Sequence, residues 1–145
     1  MLKYHTYGKT GLAIIETIWN KNREYHEDNS EYFKSNNRAN LFLKRKSVLE
    51  SLEDLRVIVV EDENVQIGFC IASYEYERGT VESLYVEEKY RRQGIRTRLI
   101  KDQLKWFEEK ECKRISVSTV YGNTVAIAFY KKFDFLPRVI VLEKR

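Results

Sequence analysis

The sequence holds a single proline and six glycines. That is too little loop-forming material for a linker between domains, and no low-complexity tract interrupts the chain. It holds two cysteines, Cys70 and Cys112, and two histidines, His5 and His26. With no C-x-x-C spacing among them, a zinc site is not expected, and the cysteines read as small core residues rather than nucleophiles. No apolar run approaches the length of a membrane span, and the opening MLKYHTYGK lacks the apolar stretch of a signal peptide. The expectation is a soluble, cytoplasmic chain with no metal and no membrane partner. Its formal charge of +4 is small for a binder of long polyanions, so no nucleic acid is expected either.

What is present fits one compact domain spanning residues 1–145. The chain is 43% hydrophobic, with seven Phe, ten Tyr and two Trp, enough to bury a real core. Residues 1–7 alternate weakly as a first strand. Leu12, Ile15, Ile18, Trp19 and Tyr25 fall at helical spacing, and a second helical stretch runs over about residues 31–52, its first half weakened by Asn36, Asn37 and Asn40. A β-branched run at 56–61, turn residues at 62–64 and alternation over 65–74 give a hairpin; Gly79 then reverses the chain into a third strand at 80–86. Gly68, inside the second of these strands, marks a bend or a close approach. A helix over 95–110 and a strand over 115–120 follow, which with the preceding strand form a βαβ crossover with parallel strands. Asn123 caps a helix over 124–132, and a last strand is expected at 139–143. The fold class is α/β, a mixed, mostly antiparallel sheet with helices on both faces.

The chain is organised around Val81–Leu99, VESLYVEEKYRRQGIRTRL. A strand passes through a basic turn into a helix. Lys89, Arg91, Arg92, Arg96 and Arg98 concentrate positive charge, Gly94 opens a backbone conformation closed to other residues, and the first N–H groups of the helix lack partners within it. Such a turn suits a small, highly charged anion. A solvated basic helix start would show the same residues.

YRRQGIRTRLI resembles the acyl-CoA signature of the GNAT superfamily of N-acyltransferases, in which Arg or Gln is followed after two residues by Gly and, two further on, by Gly or Ala; Arg91 and Gly94 meet it. ESLYV resembles the strand before that loop, VIVVEDENVQIGF the central hairpin, and NTVAIAFYKKFDF the second signature. The likeness covers residues 56–145 in order. Two residues depart from it: Arg96 stands where a small residue is usual, its side chain expected to point outward, and Asp134 stands where Gly is usual.

The resemblance implies an N-acetyltransferase that moves an acetyl group from acetyl-CoA to a primary amine by direct transfer in a ternary complex. It implies that backbone groups of Leu84, Tyr85 and Val86 pair with the pantetheine arm. The loop Arg91, Arg92, Gln93, Gly94, Ile95, Arg96 and Thr97 would bind the pyrophosphate through main-chain N–H groups, Asn123 would hydrogen-bond the pantetheine, and Tyr130 would protonate the departing thiolate. Asn123 is equally readable as a plain helix cap, and Tyr130 as a wall residue beside Phe129 and Phe133. For the general base Glu82 is the first candidate, since the period of two puts it on the face of Leu84, against a surface Glu paired across the sheet; Glu61 is second.

In this family the first helices close over the acceptor. Here they offer Trp19, Tyr25, Tyr32 and Phe33 as walls and Glu24, Glu27, Asp28 and Glu31 as acidic groups, suited to a cationic amine or simply to water. His26 reads as a surface residue. Val139–Leu142 leaves an apolar edge that makes a homodimer a candidate assembly. A non-catalytic acyl-CoA-binding or partner-binding module on the same fold is the competing reading.

Overall fold

The computed structural model describes residues 1–28, 32 and 41–145, and of residues 27 and 28 the backbone alone. In chain order the elements are β1 (Leu2–Tyr7), α1 (Gly11–Ile14), α2 (Glu16–Asp28), α3 (Leu41–Glu50), β2 (Asp54–Asp62), β3 (Val65–Glu75), β4 (Arg78–Val86), α4 (Ile95–Glu109), β5 (Arg114–Val117) and α5 (Thr124–Lys131). Expected helix residues 31 and 33–40, and with them Glu31 and Phe33, lie outside the described residues.

The five strands lie in sequence order, β1 to β4 antiparallel and β5 parallel to β4. α4 makes the crossover between the two parallel strands. β2 shows why its sequence is apolar without a break: Val57 and Val59 face the layer of α1, α2 and α3, while Ile58 and Val60 face α4. Both faces are covered, so alternation is not required. Phe69, Ile71 and Tyr85 join the first layer, with Trp19 and Phe42 edge to face at 5.4 Å between α2 and α3. Cys70, Val81, Leu99, Ile100 and Phe107 join the second.

α4 is fixed to the sheet by one buried amide. Gln103 Nε2 donates to the carbonyls of Arg56 (2.9 Å) and Cys70 (3.3 Å), and Arg56 Nη1 donates back to Gln103 Oε1 (3.3 Å) and to the Asp102 carbonyl (3.0 Å). A buried amide so fully paired stabilises the docking instead of opposing it. Gly68 proves to be a close approach: a Cβ there would lie 3.0 Å from the Tyr85 carbonyl oxygen of β4.

Four expectations about the fold are corrected. The first helix is two, because the chain leaves helical geometry at Ile15 (φ −99°, ψ 10°) between α1 and α2. β5 ends at Val117 rather than residue 120, since its pairing with β4 stops at Val81↔Val117. No strand forms at 139–143: Val139, Ile140, Val141 and Leu142 are 71–90% exposed, with neither a ladder partner nor a core face to hold them extended. The fourth concerns Glu82. β3 and β4 shift register between Ile71↔Ser83 and Ala72↔Val81, leaving Glu82 as an extra, bulged residue. The bulge breaks the period of two, so Val81, Leu84 and Val86 share one core while Glu82 turns to the α3 face, opposite Leu84.

Candidate active site

Past Val81 and Val117 the two parallel strands separate, and the gap between them is a cleft of about 380 Å³. Glu82–Val86 form one wall. Ser118–Val120 and the inner face of α5 form the other, and α2 closes one side. The backbone of β4 along Glu82–Val86 thus has no strand beside it on the β5 side, leaving an edge that an extended ligand can pair with.

At the far end stands the loop into α4. Gly94 is the N-cap in the left-handed region (φ 79°) with no side-chain cap, and Arg92 beside it is also left-handed (φ 69°). A Cβ on Gly94 would meet nothing within 4 Å, so its backbone conformation alone requires glycine. The first N–H groups of the fifteen-residue α4 therefore remain available at an open helix start. Arg92 and Gln93 are exposed and Thr97 half-buried, none of them in the cleft wall. Ile95 is a core residue at 2% exposure, so only its backbone can take part in anion binding.

The arginines do not all face water. Arg91 folds back along β4: its Nε donates to the Val86 carbonyl at 2.9 Å, and its guanidinium lies 4.7 Å from the Tyr25 ring and 5.8 Å from that of Tyr85. Arg96, expected to point outward, instead lines the cleft with its guanidinium 4.8 Å over the Phe129 ring. The face of the Phe129 ring attracts that cation through its quadrupole. Asp134 takes a left-handed turn (φ 66°), the conformation that makes Gly usual there and that Asp also tolerates.

On α5 both readings of Asn123 hold together. Its Oδ1 accepts from the Ala126 N–H at 3.0 Å, a helix cap, while the residue also lines the cleft, leaving Nδ2 for a ligand. Tyr130 is 8% exposed in the same wall, edge to face with Phe129 (5.2 Å) and Phe135 (5.7 Å). Burial pushes its phenol above the ordinary range, the neighbouring Cys70 adds to this, and Arg96 opposes it. The hydroxyl is thus a neutral donor throughout the physiological range.

Glu82 stands at the cleft end nearest the paired strands. Its carboxylate accepts from Arg45 Nη2 at 2.6 Å and from Ser73 Oγ at 2.5 Å. Glu61 is elsewhere, on β2 against His5 at 3.5 Å, because it faces out beside β1. Trp19 belongs to the core, not to an acceptor wall, since it shares the inner face of α2 with Ile15 and Ile18. Tyr25 lines the cleft, Glu24 is exposed outside it, and Tyr32 stacks on Tyr121 at 6.2 Å. His26 is the larger correction: it is half-buried in the cleft wall. Burial, then the charge of Arg91, hold its imidazole below its ordinary value of 6.5. Asn22, one turn earlier, is 6% exposed and lines the same wall. A signal for both existed in the sequence: the apolar stripe 15, 18, 19 continues at 22, 25 and 26, so its last turn is polar on the inward side.

An open strand edge and a buried phenol in one cleft, with an uncapped helix start at its far end, can take an extended, anionic ligand. Residues 15–135 match the Acetyltransferase (GNAT) family, and the chain belongs to that family. Among curated proteins it is similar to N-alpha-acetyltransferase 30 of Xenopus laevis, 33% identical over 61 residues, covering 42% of this chain and 22% of that protein. It is also similar to the aminoglycoside N(6')-acetyltransferase type 1 of Acinetobacter genomosp. 13, 27% identical over 108 residues, covering 67% of this chain and 74% of that one. The fold matches that of AAC(6')-Iy in complex with the bisubstrate analog CoA-S-monomethyl-acetylneamine, with TM-score 0.68, 20% identity and coverage of 100% and 99% of the two chains. It also matches apo AAC(6')-IG from Acinetobacter haemolyticus, with TM-score 0.70, 17% identity and coverage of 99% and 98%.

Proposed function

We propose that the chain is an acetyl-CoA-dependent N-acetyltransferase that transfers the acetyl group directly to a primary amine in a ternary complex. The observation that carries this reading is the separation of β4 from β5 past Val81↔Val117, which leaves a bare strand edge leading from Glu82 to the open start of α4. The residues present fit the coenzyme. Backbone groups of Leu84, Tyr85 and Val86 pair with the pantetheine arm as an added strand. Main-chain N–H groups of the Arg91–Thr97 loop hold the pyrophosphate, with Gly94 supplying the left-handed turn. Asn123 Nδ2 hydrogen-bonds the arm, and the Tyr130 hydroxyl stabilises the leaving sulfur. Glu82, its carboxylate engaged by Arg45 and Ser73, stands at the acceptor end of the cleft as a fixed polar wall.

The acceptor is a small molecule or protein carrying a primary amine; similarity to aminoglycoside acetyltransferases makes an amino sugar the first class to try. The exposed apolar segment Val139–Leu142 is the surface on offer to a second copy of the chain, and the chain's place of action is the cytoplasm. The test is isothermal titration with acetyl-CoA followed by a thiol-release assay across a panel of primary amines. Binding with turnover of at least one amine supports the reading. Tight coenzyme binding with no turnover on any amine would leave a non-catalytic acyl-CoA-binding module.

A further inference from the structure

On the α2 side of the cleft, two polar atoms are buried without a hydrogen-bond partner among the described residues: Asn22 Oδ1 and His26 Nδ1. They sit one helical turn apart, at i and i+4, and both side chains line the cleft. Asn22 is only 6% exposed, and a buried amide oxygen with no donor has given up its hydration without a replacement. Such a cost is recovered when a ligand supplies the missing donor. With Nδ1 the unprotonated nitrogen of a neutral imidazole, the pair offers two acceptors one turn apart, which a ligand group carrying several hydrogens fits.

We infer that Asn22 and His26 form the subsite for the reactive nitrogen of the acceptor, with His26 Nδ1 taking its proton. The inference rests on the acetyl-transfer reading above. Groups facing the same space come from every wall: Tyr25 on α2, Glu82 and Tyr85 on β4, Arg91 after it, Arg96 on α4 and Tyr130 on α5. Glu82 has both carboxylate oxygens occupied, by Arg45 and Ser73, whereas His26 Nδ1 is unengaged among the described residues. Arg91, held between Tyr25 and Tyr85, disfavours a second positive charge beside it. It therefore selects both the neutral imidazole and the uncharged form of the amine. In the step, the amine lone pair forms the N–C bond to the thioester carbonyl carbon and the C–S bond breaks, with its electron pair leaving on sulfur. The sulfur is received by the Tyr130 hydroxyl as a hydrogen-bonded thiolate. The amine proton goes to His26 Nδ1, and the imidazolium returns it to solvent.

The chain has only two histidines, His5 and His26, so imidazole resonances can be followed one by one in the full-length protein. Neamine serves as the amine probe. Binding of neamine in the presence of CoA should shift the His26 resonances and leave those of His5 in place. In the thiol-release assay, His26→Gln should lower kcat at least tenfold and remove the acidic limb of the kcat profile, which reports the complex in which the amine is already uncharged, with acetyl-CoA affinity within twofold. Asn22→Leu, close in size, should raise KM for neamine at least fivefold with a smaller effect on kcat. Matching thermal melts establish that each variant is folded, and His26→Asn is the second variant should the first not fold. A His26→Gln enzyme that keeps wild-type kcat and its acidic limb overturns the proton-accepting role. His26 resonances that ignore the amine overturn the subsite. A wild-type protein that turns over no amine, yet whose His26 resonances move on neamine binding, refutes the transfer reading while supporting the subsite.

Discussion

Replacing Tyr130 by Phe removes one hydroxyl and leaves the ring contacts with Phe129 and Phe135 in place, so the effect should be chemical and not structural. Its size follows from acidity. An ordinary phenol titrates near 10 and an ordinary thiol near 8.5, so moving a proton fully from Tyr130 to a departing thiolate is uphill by about 2 kcal/mol before burial is counted. Burial raises the phenol further and widens the gap. Tyr130 should then act as a hydrogen-bond donor to the thiolate rather than as a full proton source. A hydrogen bond to a charged group contributes about 1.5–3 kcal/mol, which is roughly a 10- to 150-fold change in rate. Tyr130→Phe should therefore lower kcat within that range, leave the acetyl-CoA dissociation constant within about twofold, and leave the alkaline side of the rate profile unchanged below about pH 10. Thiol release under saturating acetyl-CoA, with titration calorimetry for binding, measures both quantities. A variant with wild-type kcat would refute the role, and a loss well beyond about a thousandfold would refute the hydrogen-bond argument in favour of obligatory proton transfer.

Three further outcomes can be checked. Arg96→Ala should weaken acetyl-CoA binding by about three- to tenfold at low salt and flatten its salt dependence, since the Arg96 guanidinium lines the cleft; equal affinities at low and high salt would leave that charge outside the binding surface. Gly79→Ala would put a Cβ 2.6–2.9 Å from the Phe107 ring, which is fully buried, and should cost about 1–3 kcal/mol in urea unfolding. Burial pushes the Cys70 thiol from an ordinary 9.0 up to about 12. Its folded value is raised, so the associated stability is intact below pH 9 and is lost as pH climbs toward 12, about 4 kcal/mol in all. Cys70→Ala should carry a constant cavity cost of about 1 kcal/mol, so its stability should meet that of the wild type within about one pH unit above 9 and exceed it beyond that; parallel curves would show that the thiol is not desolvated.

The features that were legible in the sequence are those set by local chemistry. Continuous β-branched residues gave β2, Gly94 gave the left-handed helix start, and Asn123 gave the cap of α5. What escaped depends on partners distant in sequence. The face of Glu82 cannot be counted from β4 alone, because the extra residue exists only relative to the register of β3. Arg96 turns inward because Phe129 on another helix offers it a ring. Residues 139–143 carry the composition of a strand, but composition supplies no neighbour to pair with. His26 was hidden for the same reason: its surroundings are β4 and Arg91, which helical periodicity on α2 does not reveal.

The bulge at Glu82 ties the fold to the site. In an unbroken strand Val81, Ser83 and Tyr85 would share one face, and Leu84 and Val86 the other. Here Val81 packs in the α4 core together with Leu84 and Val86, while Tyr85 packs in the α1–α3 core against Phe69. Only an extra residue between Val81 and Ser83 allows both, so removing it would drive Leu84 and Val86 into the wrong layer or cost Val81 its place. A bulge also bends and twists its strand. The pairing of β4 with β5 ends at Val81, the residue immediately before it, and the cleft opens from there. The residue that keeps both cores in register therefore also parts the two strands. It leaves its own carboxylate, braced by Arg45 and Ser73, at the mouth of that parting.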